Sequence, residues 1–248
     1  MVPCFLALGG DRRIAYRYRQ GSGPTLLFLP GYASDMLGSK AEALDALAEQ
    51  HGLPLLRFDY SGTGESAGRF ADGTLDAWLD EAEQVAKLAP GPLLLVGSSM
   101  GGWLALHLAE RLQARVIGLV GIAAAPDFTS WGYSEAEKRQ LVAQGELRRA
   151  NPYGGEASLT TLRFWQSGER MTLLDRTINY AGPVRLLHGD EDAEVPLDIG
   201  VRTKDRLASA DVQLTVVKGG NHRLSAPHEL ALLKETVLAL LARSPSAT

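Results

Sequence analysis

The sequence around Ser99 constrains the fold more than any other stretch of this chain. Gly97, Ser99 and Gly101 form a Gly-x-Ser-x-Gly pattern, which is typical of a sharp turn that presents a nucleophilic serine between a strand and a helix. The apolar run 93–96 precedes the pattern, and an almost wholly apolar helical run, 100–112, follows it. Glycine is favoured on either side of Ser99 because strand and helix almost touch there, and a Cβ atom would clash. The stretch therefore predicts a strand, a strained turn and a buried helix.

Predicted strands and helices alternate along most of the chain. Apolar runs predict strands at residues 2–8, 13–18, 25–29, 53–58, 93–98, 116–123, 184–188 and 212–217. Helical patterns lie between them, and the spacing of Ser39 and Glu42 predicts a capping box at the start of the first helix. Such alternation implies a mostly parallel sheet with helices on both faces, which is an α/β fold. We predict a single domain spanning residues 1–248.

Residues 126–182 interrupt this alternation, and we predict that they form a lid. The segment is polar, apart from scattered aromatic residues and a helical pattern at 134–144. An insertion after the carboxyl end of a strand lies over the ligand crevice of an open α/β sheet. Large rings in a polar insertion suggest that one face packs down over that crevice. Trp131, Phe164 and Trp165 are therefore candidates for lining a substrate pocket, or for anchoring the lid to the body.

Charge and composition exclude several classes of function. The net charge is −4, and no run of Lys or Arg is present, so neither nucleic acid nor an anionic membrane is expected as a partner. Cys4 is the only cysteine, which excludes an intrachain disulfide and a cysteine metal cluster. We expect no metal and no cofactor. No stretch reaches about eighteen apolar residues, and no targeting pattern is found at the N-terminus, so the sequence predicts a cytoplasmic protein without integral membrane association.

A serine hydroxyl becomes a good nucleophile only when a base takes its proton. In enzymes with this kind of strand-turn-helix nucleophile, an acid and then a histidine follow the serine along the chain. Of the five histidines, His222 follows a predicted strand through a Gly-Gly loop, and His228 in the first turn of the last helix is the competing candidate. The other three have structural explanations at a helix end, within a buried helix and at a strand end: His51, His107 and His188.

The acid belongs to the loop that follows the strand 184–188. Four carboxylates crowd this loop, namely Asp190, Glu191, Asp192 and Glu194. Asp192 stands just before a predicted helix start, whereas the others are explained as solvated or helix N-terminal charges. We therefore predict that Asp192 orients His222.

Acyl transfer also needs N–H donors aimed at the oxygen on which negative charge develops. The backbone N–H of Met100, the residue after the nucleophile, is the first candidate. The second comes from the loop after the strand 25–29, and we assign it to the backbone N–H of Tyr32.

Five short motifs together resemble the serine α/β-hydrolase family. They are Pro30-Gly31-Tyr32, the run 57–66, the run 97–103, His188-Gly189-x-x-Asp192, and Asn221-His222-Arg223. Within the family, the chain is most similar to the branch that contains the acyl-glucuronide esterase and palmitoyl-protein thioesterase. The resemblance implies an α/β-hydrolase fold, the triad Ser99, Asp192 and His222, and hydrolysis of small carboxylic esters or thioesters through an acyl-enzyme.

Three other functions remain as alternatives. The first is a palmitoyl thioesterase that acts on S-acylated protein, and the second is a ligand-binding homologue without catalysis. The third is an oxidoreductase, because residues 62–67 formally match a dinucleotide fingerprint. The residues after that match predict no helix opening directly at its glycines, which argues against a pyrophosphate site. The acyl group, the leaving group and the oligomeric state are not predicted.

Overall fold

The computed structural model describes residues 2–9, 12–150 and 157–243. Within these ranges, the strands are β1 (Cys4–Ala7), β2 (Arg13–Arg19), β3 (Thr25–Leu29), β4 (Leu55–Phe58), β5 (Leu93–Ser98), β6 (Val116–Ile122), β7 (Glu146–Arg149), β8 (Ser158–Thr161), β9 (Val184–Gly189) and β10 (Val212–Val217). The α-helices are α1 (Ser39–His51), α2 (Leu75–Ala86), α3 (Met100–Leu112), α4 (Phe128–Trp131), α5 (Glu135–Gln144), α6 (Leu162–Glu169), α7 (Leu197–Arg206) and α8 (Pro227–Leu241).

Eight of these strands form one sheet, in the order β1-β2-β4-β3-β5-β6-β9-β10. The contacts β1–β2 and β2–β4 are antiparallel, and the remaining contacts are parallel. The predicted mostly parallel sheet is therefore confirmed. Since parallel strands point the same way, the loops after β3, β5, β9 and β10 meet at one edge of the sheet.

Consecutive residues of the central strands face two separate apolar cores. Leu26 and Leu94 pack with α1 and α8 on one face, whereas Leu27 and Leu95 pack with α2 and α3 on the other. Side chains alternate across a strand, so a strand buried on both faces is mostly apolar. All five residues of β3 and all six of β5 are buried, and only Thr25 and Ser98 among them have polar side chains.

The start of α1 differs from the prediction. The helix begins at Ser39 after the N-cap residue Gly38, and no side chain caps it. Glu42 instead accepts a hydrogen bond of 2.6 Å from Arg57 of β4, and the Arg57 side chain is almost fully buried. An ion pair with a buried guanidinium therefore takes the place of the predicted capping box.

The lid segment (residues 126–182) holds α4, α5, β7, β8 and α6. Only α5 was predicted, and it begins with a capping box between Ser134 and Glu137. The strands β7 and β8 form a separate two-stranded antiparallel sheet, called here the lid hairpin. Residues 151–156 of the predicted lid lie outside the described residues.

A buried carboxylate ties the two ends of the lid segment together. Asp127 is 5% exposed and adopts a left-handed backbone conformation, with φ of 60°. Its two carboxylate oxygens accept hydrogen bonds of 2.8 Å from the backbone N–H groups of Leu173 and Leu174. Burial raises the pKa of Asp127, although these two hydrogen bonds oppose the rise.

Removing this carboxylate is expected to destabilise the protein. Asp127→Ala leaves two buried N–H groups without an acceptor, at about 1–3 kcal/mol each. Urea denaturation should therefore show a fall of about 2–5 kcal/mol in the free energy of unfolding. The matched control is Asp175→Ala, which removes an exposed carboxylate of the same segment and should change it by less than about 0.5 kcal/mol. Equal effects of the two substitutions would mean that the Asp127 carboxylate does not hold the two ends of the lid segment together.

Candidate functional site

Three pieces of backbone meet at Ser99. The residue lies between β5 and α3 with φ of 53° and ψ of −120°, a conformation that a non-glycine residue rarely adopts. A Cβ atom on Gly97 would lie 2.3 Å from the carbonyl oxygen of Gly101, and one on Gly101 would lie 2.1 Å from that of Leu29. Neither position can hold a side chain unless the backbone moves. The predicted strained turn is therefore present, with its serine at the tip.

The structure brings Ser99, His222 and Asp192 together. His222 Nε2 lies 3.0 Å from Ser99 Oγ, and His222 Nδ1 lies 2.9 Å from Asp192 Oδ2. Ser99 follows β5, Asp192 follows β9, and His222 follows β10, so all three stand at the carboxyl edge of the sheet. Through these two hydrogen bonds, a proton can pass from Ser99 to His222 while Asp192 holds the imidazole in its orientation.

Asp192 is held as a buried anion. Its side chain is 0% exposed, and Oδ1 accepts hydrogen bonds of 2.9 Å from the backbone N–H groups of Glu194 and Val195. Burial by itself would raise the pKa of Asp192. The hydrogen bond and charge of His222, together with the two N–H groups, outweigh burial and lower that pKa below its ordinary value. The carboxylate is therefore ionised at neutral pH.

The other candidate residues of these two loops occupy different positions. Asp190 Oδ1 accepts a hydrogen bond of 2.6 Å from the Gly219 N–H, which joins the two loops. Glu194 lies on the rim, with its carboxylate 3.9 Å from His222 Nε2. His188 is buried and makes a 2.9 Å hydrogen bond to the Val195 carbonyl. The competing candidate His228 is exposed at the start of α8.

The two predicted oxyanion donors belong to the residue after Ser99 and to a loop that passes beside Ser99. Met100 is the first residue of α3, and the N–H groups of a first helical turn have no acceptor within the helix. Tyr32 belongs to the Gly31 loop (residues 30–38). A Cβ atom on Gly31 would lie 3.4 Å from the Ser99 Cβ and 3.3 Å from the Ser98 carbonyl oxygen, so this loop passes directly beside the nucleophile.

Asp59 fixes the far end of the Gly31 loop, and the sequence did not single it out for this role. One carboxylate oxygen accepts a 2.7 Å hydrogen bond from the Met36 N–H, and the other accepts 2.8 Å from the Glu65 N–H. Arg57 donates to the Met36 carbonyl at 3.1 Å. Asp59 directly follows β4 at the carboxyl edge of the sheet, and that position was the available signal.

The glycines of the possible dinucleotide fingerprint form a turn around Asp59. Gly62 and Gly64 have φ of 78° and 47°, and a Cβ atom on Gly64 would lie 2.2 Å from an Asp59 carboxylate oxygen. The next α-helix, α2, begins only at Leu75. Because these glycines do not lead directly into that α-helix, its N-terminus is not placed to bind a pyrophosphate in this loop.

A cavity of about 1100 Å³ opens beside Ser99 and His222. It is lined by the Gly31 loop, the lid segment and the loop after β9. The lining residues of the lid segment include Trp131, Tyr133 and Thr160. Phe164 and Trp165 are not among its lining residues. Phe164 is buried in an aromatic cluster, and the Trp165 indole donates to the Thr129 carbonyl at 2.9 Å. Of the three predicted pocket residues, only Trp131 therefore faces the cavity, while the other two anchor the lid segment.

Lys40 also lines the cavity, and the sequence analysis did not identify it. Its ammonium group donates a hydrogen bond to the carbonyl of Arg223, the residue after His222. Burial, and then the charge of Arg223, lower the pKa of Lys40 to about 8, although Glu229 opposes them. The contact joins residues 183 positions apart and ends on a backbone carbonyl, so no residue pattern in the sequence marks it.

Within residues 2–9, 12–150 and 157–243, no group of three His, Cys, Asp or Glu side chains is arranged to hold a metal ion. In the same ranges, none of the helices is both long and apolar enough to cross a membrane.

Comparisons with known proteins identify similar chains. A family described as alpha/beta hydrolase fold matches residues 24–169. The mouse protein named palmitoyl-protein thioesterase ABHD10, mitochondrial, is 36% identical over 229 residues, covering 90% of this chain and 77% of the relative. Its human counterpart is 35% identical, covering 90% and 75%. A solved structure of mouse alpha/beta hydrolase domain-containing protein 10 matches with a TM-score of 0.91 and 33% identity, covering 98% of this chain and 99% of that chain. The predicted fold class is confirmed.

The comparisons correct the predicted localisation. The mouse, human and bovine relatives are all named mitochondrial, so the prediction of a cytoplasmic protein is wrong. The prediction depended on residues near the N-terminus. Targeting segments take no part in a fold, so the folded domain did not reveal the compartment.

The contact between Asp192 and His222 predicts the effect of a conservative substitution. Asp192→Asn keeps the shape of the side chain but no longer holds the imidazole in the required tautomer. The rate at which a fluorophosphonate labels Ser99 should therefore fall by about 10³-fold or more. Asp190→Asn, a change of the same chemistry on the same loop, should cost less than about tenfold. Equal losses would mean that Asp192 is not the orienting acid.

Proposed function

The chain belongs to the alpha/beta hydrolase family, and from that premise we propose that it hydrolyses carboxylic ester or thioester bonds through an acyl-enzyme on Ser99. The observation that carries the proposal is the unbroken contact from Ser99 Oγ through His222 to Asp192, beside a cavity large enough for an acyl substrate. Ligand-binding relatives without activity would have no need of this arrangement, so it favours catalysis.

In the first step, Ser99 Oγ attacks the carbonyl carbon of the substrate. His222 Nε2, at 3.0 Å, takes the hydroxyl proton as the new C–O bond forms. Positive charge then develops on the imidazole, 2.9 Å from the buried Asp192 carboxylate. That carboxylate stabilises the imidazolium and remains ionised throughout, as its lowered pKa requires.

Negative charge develops meanwhile on the substrate carbonyl oxygen. We assign its stabilisation to the backbone N–H groups of Met100 and Tyr32. Met100 begins α3, so the positive end of the helix dipole lies at the same place. Donors fixed in advance need no reorganisation at the moment of reaction, which is why they lower the barrier so effectively.

Collapse of the tetrahedral intermediate releases the alcohol or thiol, which receives its proton from His222. Water then attacks the acyl-enzyme while His222 takes its proton, and His222 returns that proton to Ser99 Oγ as the carboxylic acid leaves. In both acylation and deacylation, His222 therefore acts first as a base and then as an acid.

Acyl thioesters are the second substrate class that we propose. The observation that favours them is the similarity to relatives named palmitoyl-protein thioesterase, which extends over 90% of this chain. An S-acylated protein is a candidate substrate, because the cavity is an open cleft bordered by the exposed residues Arg148 and Ala150. Among the aromatic residues, Trp131 is the proposed acyl contact.

Covalent catalysis can be tested at Ser99 itself. A fluorophosphonate should label the wild-type protein once and should leave Ser99→Ala unlabelled. Hydrolysis of p-nitrophenyl butyrate should fall by at least about 10³-fold in this variant, with a small remainder from the oxyanion donors. The exposed serine Ser22 offers a matched control, since Ser22→Ala should retain both labelling and activity. Labelling that persists in Ser99→Ala would exclude this nucleophile.

Esters and thioesters should pass through one intermediate. We expect p-nitrophenyl octanoate and an octanoyl thioester to give the same octanoyl adduct on Ser99, detected by mass spectrometry after rapid quenching. Both activities should disappear together in Ser99→Ala. Thioester hydrolysis that survives the substitution would separate the two activities and contradict a common site.

A further inference from the structure

The side chain of Tyr32 connects the Gly31 loop to the lid segment. Its main chain carries the proposed oxyanion donor and lies in the Gly31 loop beside Ser99. Its ring and hydroxyl contact the lid segment. The ring and the hydroxyl make separate contacts there, and both reach residues that the sequence places more than ninety positions away.

The ring lies between the body and the lid segment. On the body side, its centroid is 5.1 Å from that of Phe70 and 6.1 Å from that of Trp78. On the lid side, it is 4.7 Å from Phe164 of α6 and 6.0 Å from Phe128 of α4. Aromatic pairs at these separations stabilise a specific arrangement beyond the burial of their area. The position of the ring therefore depends on where the lid segment lies.

The hydroxyl holds the lid hairpin. It donates a hydrogen bond to the carbonyl of Leu159, in the middle of β8. The neighbouring residue Thr160 makes a 2.8 Å hydrogen bond with the hydroxyl of Tyr133, which lies between α4 and α5. The same strand is therefore also held by an earlier part of the lid segment. Burial, and then the nearby Tyr133, raise the pKa of Tyr32 above its ordinary value, so its hydroxyl stays a proton donor at neutral pH.

The opposite end of the Gly31 loop is held by the body and not by the lid hairpin. Met36 is fully buried and is held by Asp59 and Arg57 of the body. A displacement of the hairpin therefore acts on Tyr32, while Met36 stays in place. The residue that would move is the one to which we assign the second oxyanion N–H.

We propose that Tyr32 is a positioning residue that couples the lid hairpin to the oxyanion donor. The proposal rests on the function proposed above and adds a source of acyl-length specificity. Leu159 and Thr160 line the same cavity as Ser99, so an acyl group long enough to reach them presses on the strand that Tyr32 holds. Remote contacts of this kind lower the barrier only for substrates that make them.

The test is Tyr32→Phe, which keeps the ring and removes only the hydroxyl. We expect kcat/KM to fall for both p-nitrophenyl acetate and p-nitrophenyl decanoate, with a loss at least about fivefold larger for the decanoate. Amide hydrogen exchange should become faster in β8 and in the Gly31 loop together. If Tyr32→Phe does not fold, Tyr133→Phe loosens the same strand from its other side and should give the same paired change in exchange.

Tyr180→Phe is the matched control. Tyr180 is also buried and also donates to a backbone carbonyl, that of Val116, but it does not line the cavity. It should lower stability without changing the ratio of the two ester activities.

Two results would overturn the coupling: equal losses on both esters, or faster exchange in β8 alone. A wild-type protein that hydrolyses neither these esters nor the octanoyl thioester would refute the proposed function instead, and the exchange measurement would still decide the coupling.

Discussion

The close approach of three backbone segments at Ser99 is the constraint on which the rest of the site depends. Two glycines allow β5 and α3 to meet without a Cβ atom between them, and Gly101 also allows contact with the end of β3. The hydroxyl is thereby raised above the sheet on a strained residue. The strain persists because packing on both sheet faces leaves the turn no room to relax.

A second layer of the site consists of loops that bind one another. The loop after β9 contacts the loop after β10 through Asp190 and Gly219, while Asp59 and Arg57 hold the Gly31 loop. All three contacts are charge-assisted hydrogen bonds, which are stronger than neutral ones, and the contacts of Asp59 and Arg57 are also buried. The distances around His222 therefore follow from interactions that never touch a substrate.

Much of the fold and of the candidate site could be predicted, because the signals are local. The alternation of apolar runs predicted the sheet, and position at a strand end selected Asp192 and His222, which the structure brings into contact. The structure of the lid segment was harder to predict from the sequence. Its hairpin strands β7 and β8 are short and polar, so they carry no apolar alternation, and the anchoring by Asp127 joins residues about 46 positions apart.

The sequence alone determined the strand-turn-helix at Ser99, the class of the fold and the order of the three candidate catalytic residues. Each of these follows from residues that are neighbours in the chain or from the periodicity of apolar residues. Only the tertiary structure decided which aromatic residues face the cavity and what Glu42, Asp59 and Tyr32 bind. Phe164 illustrates the reason. Its burial was foreseeable from its hydrophobicity, but which surface it buries against depends on where a distant loop places Tyr32.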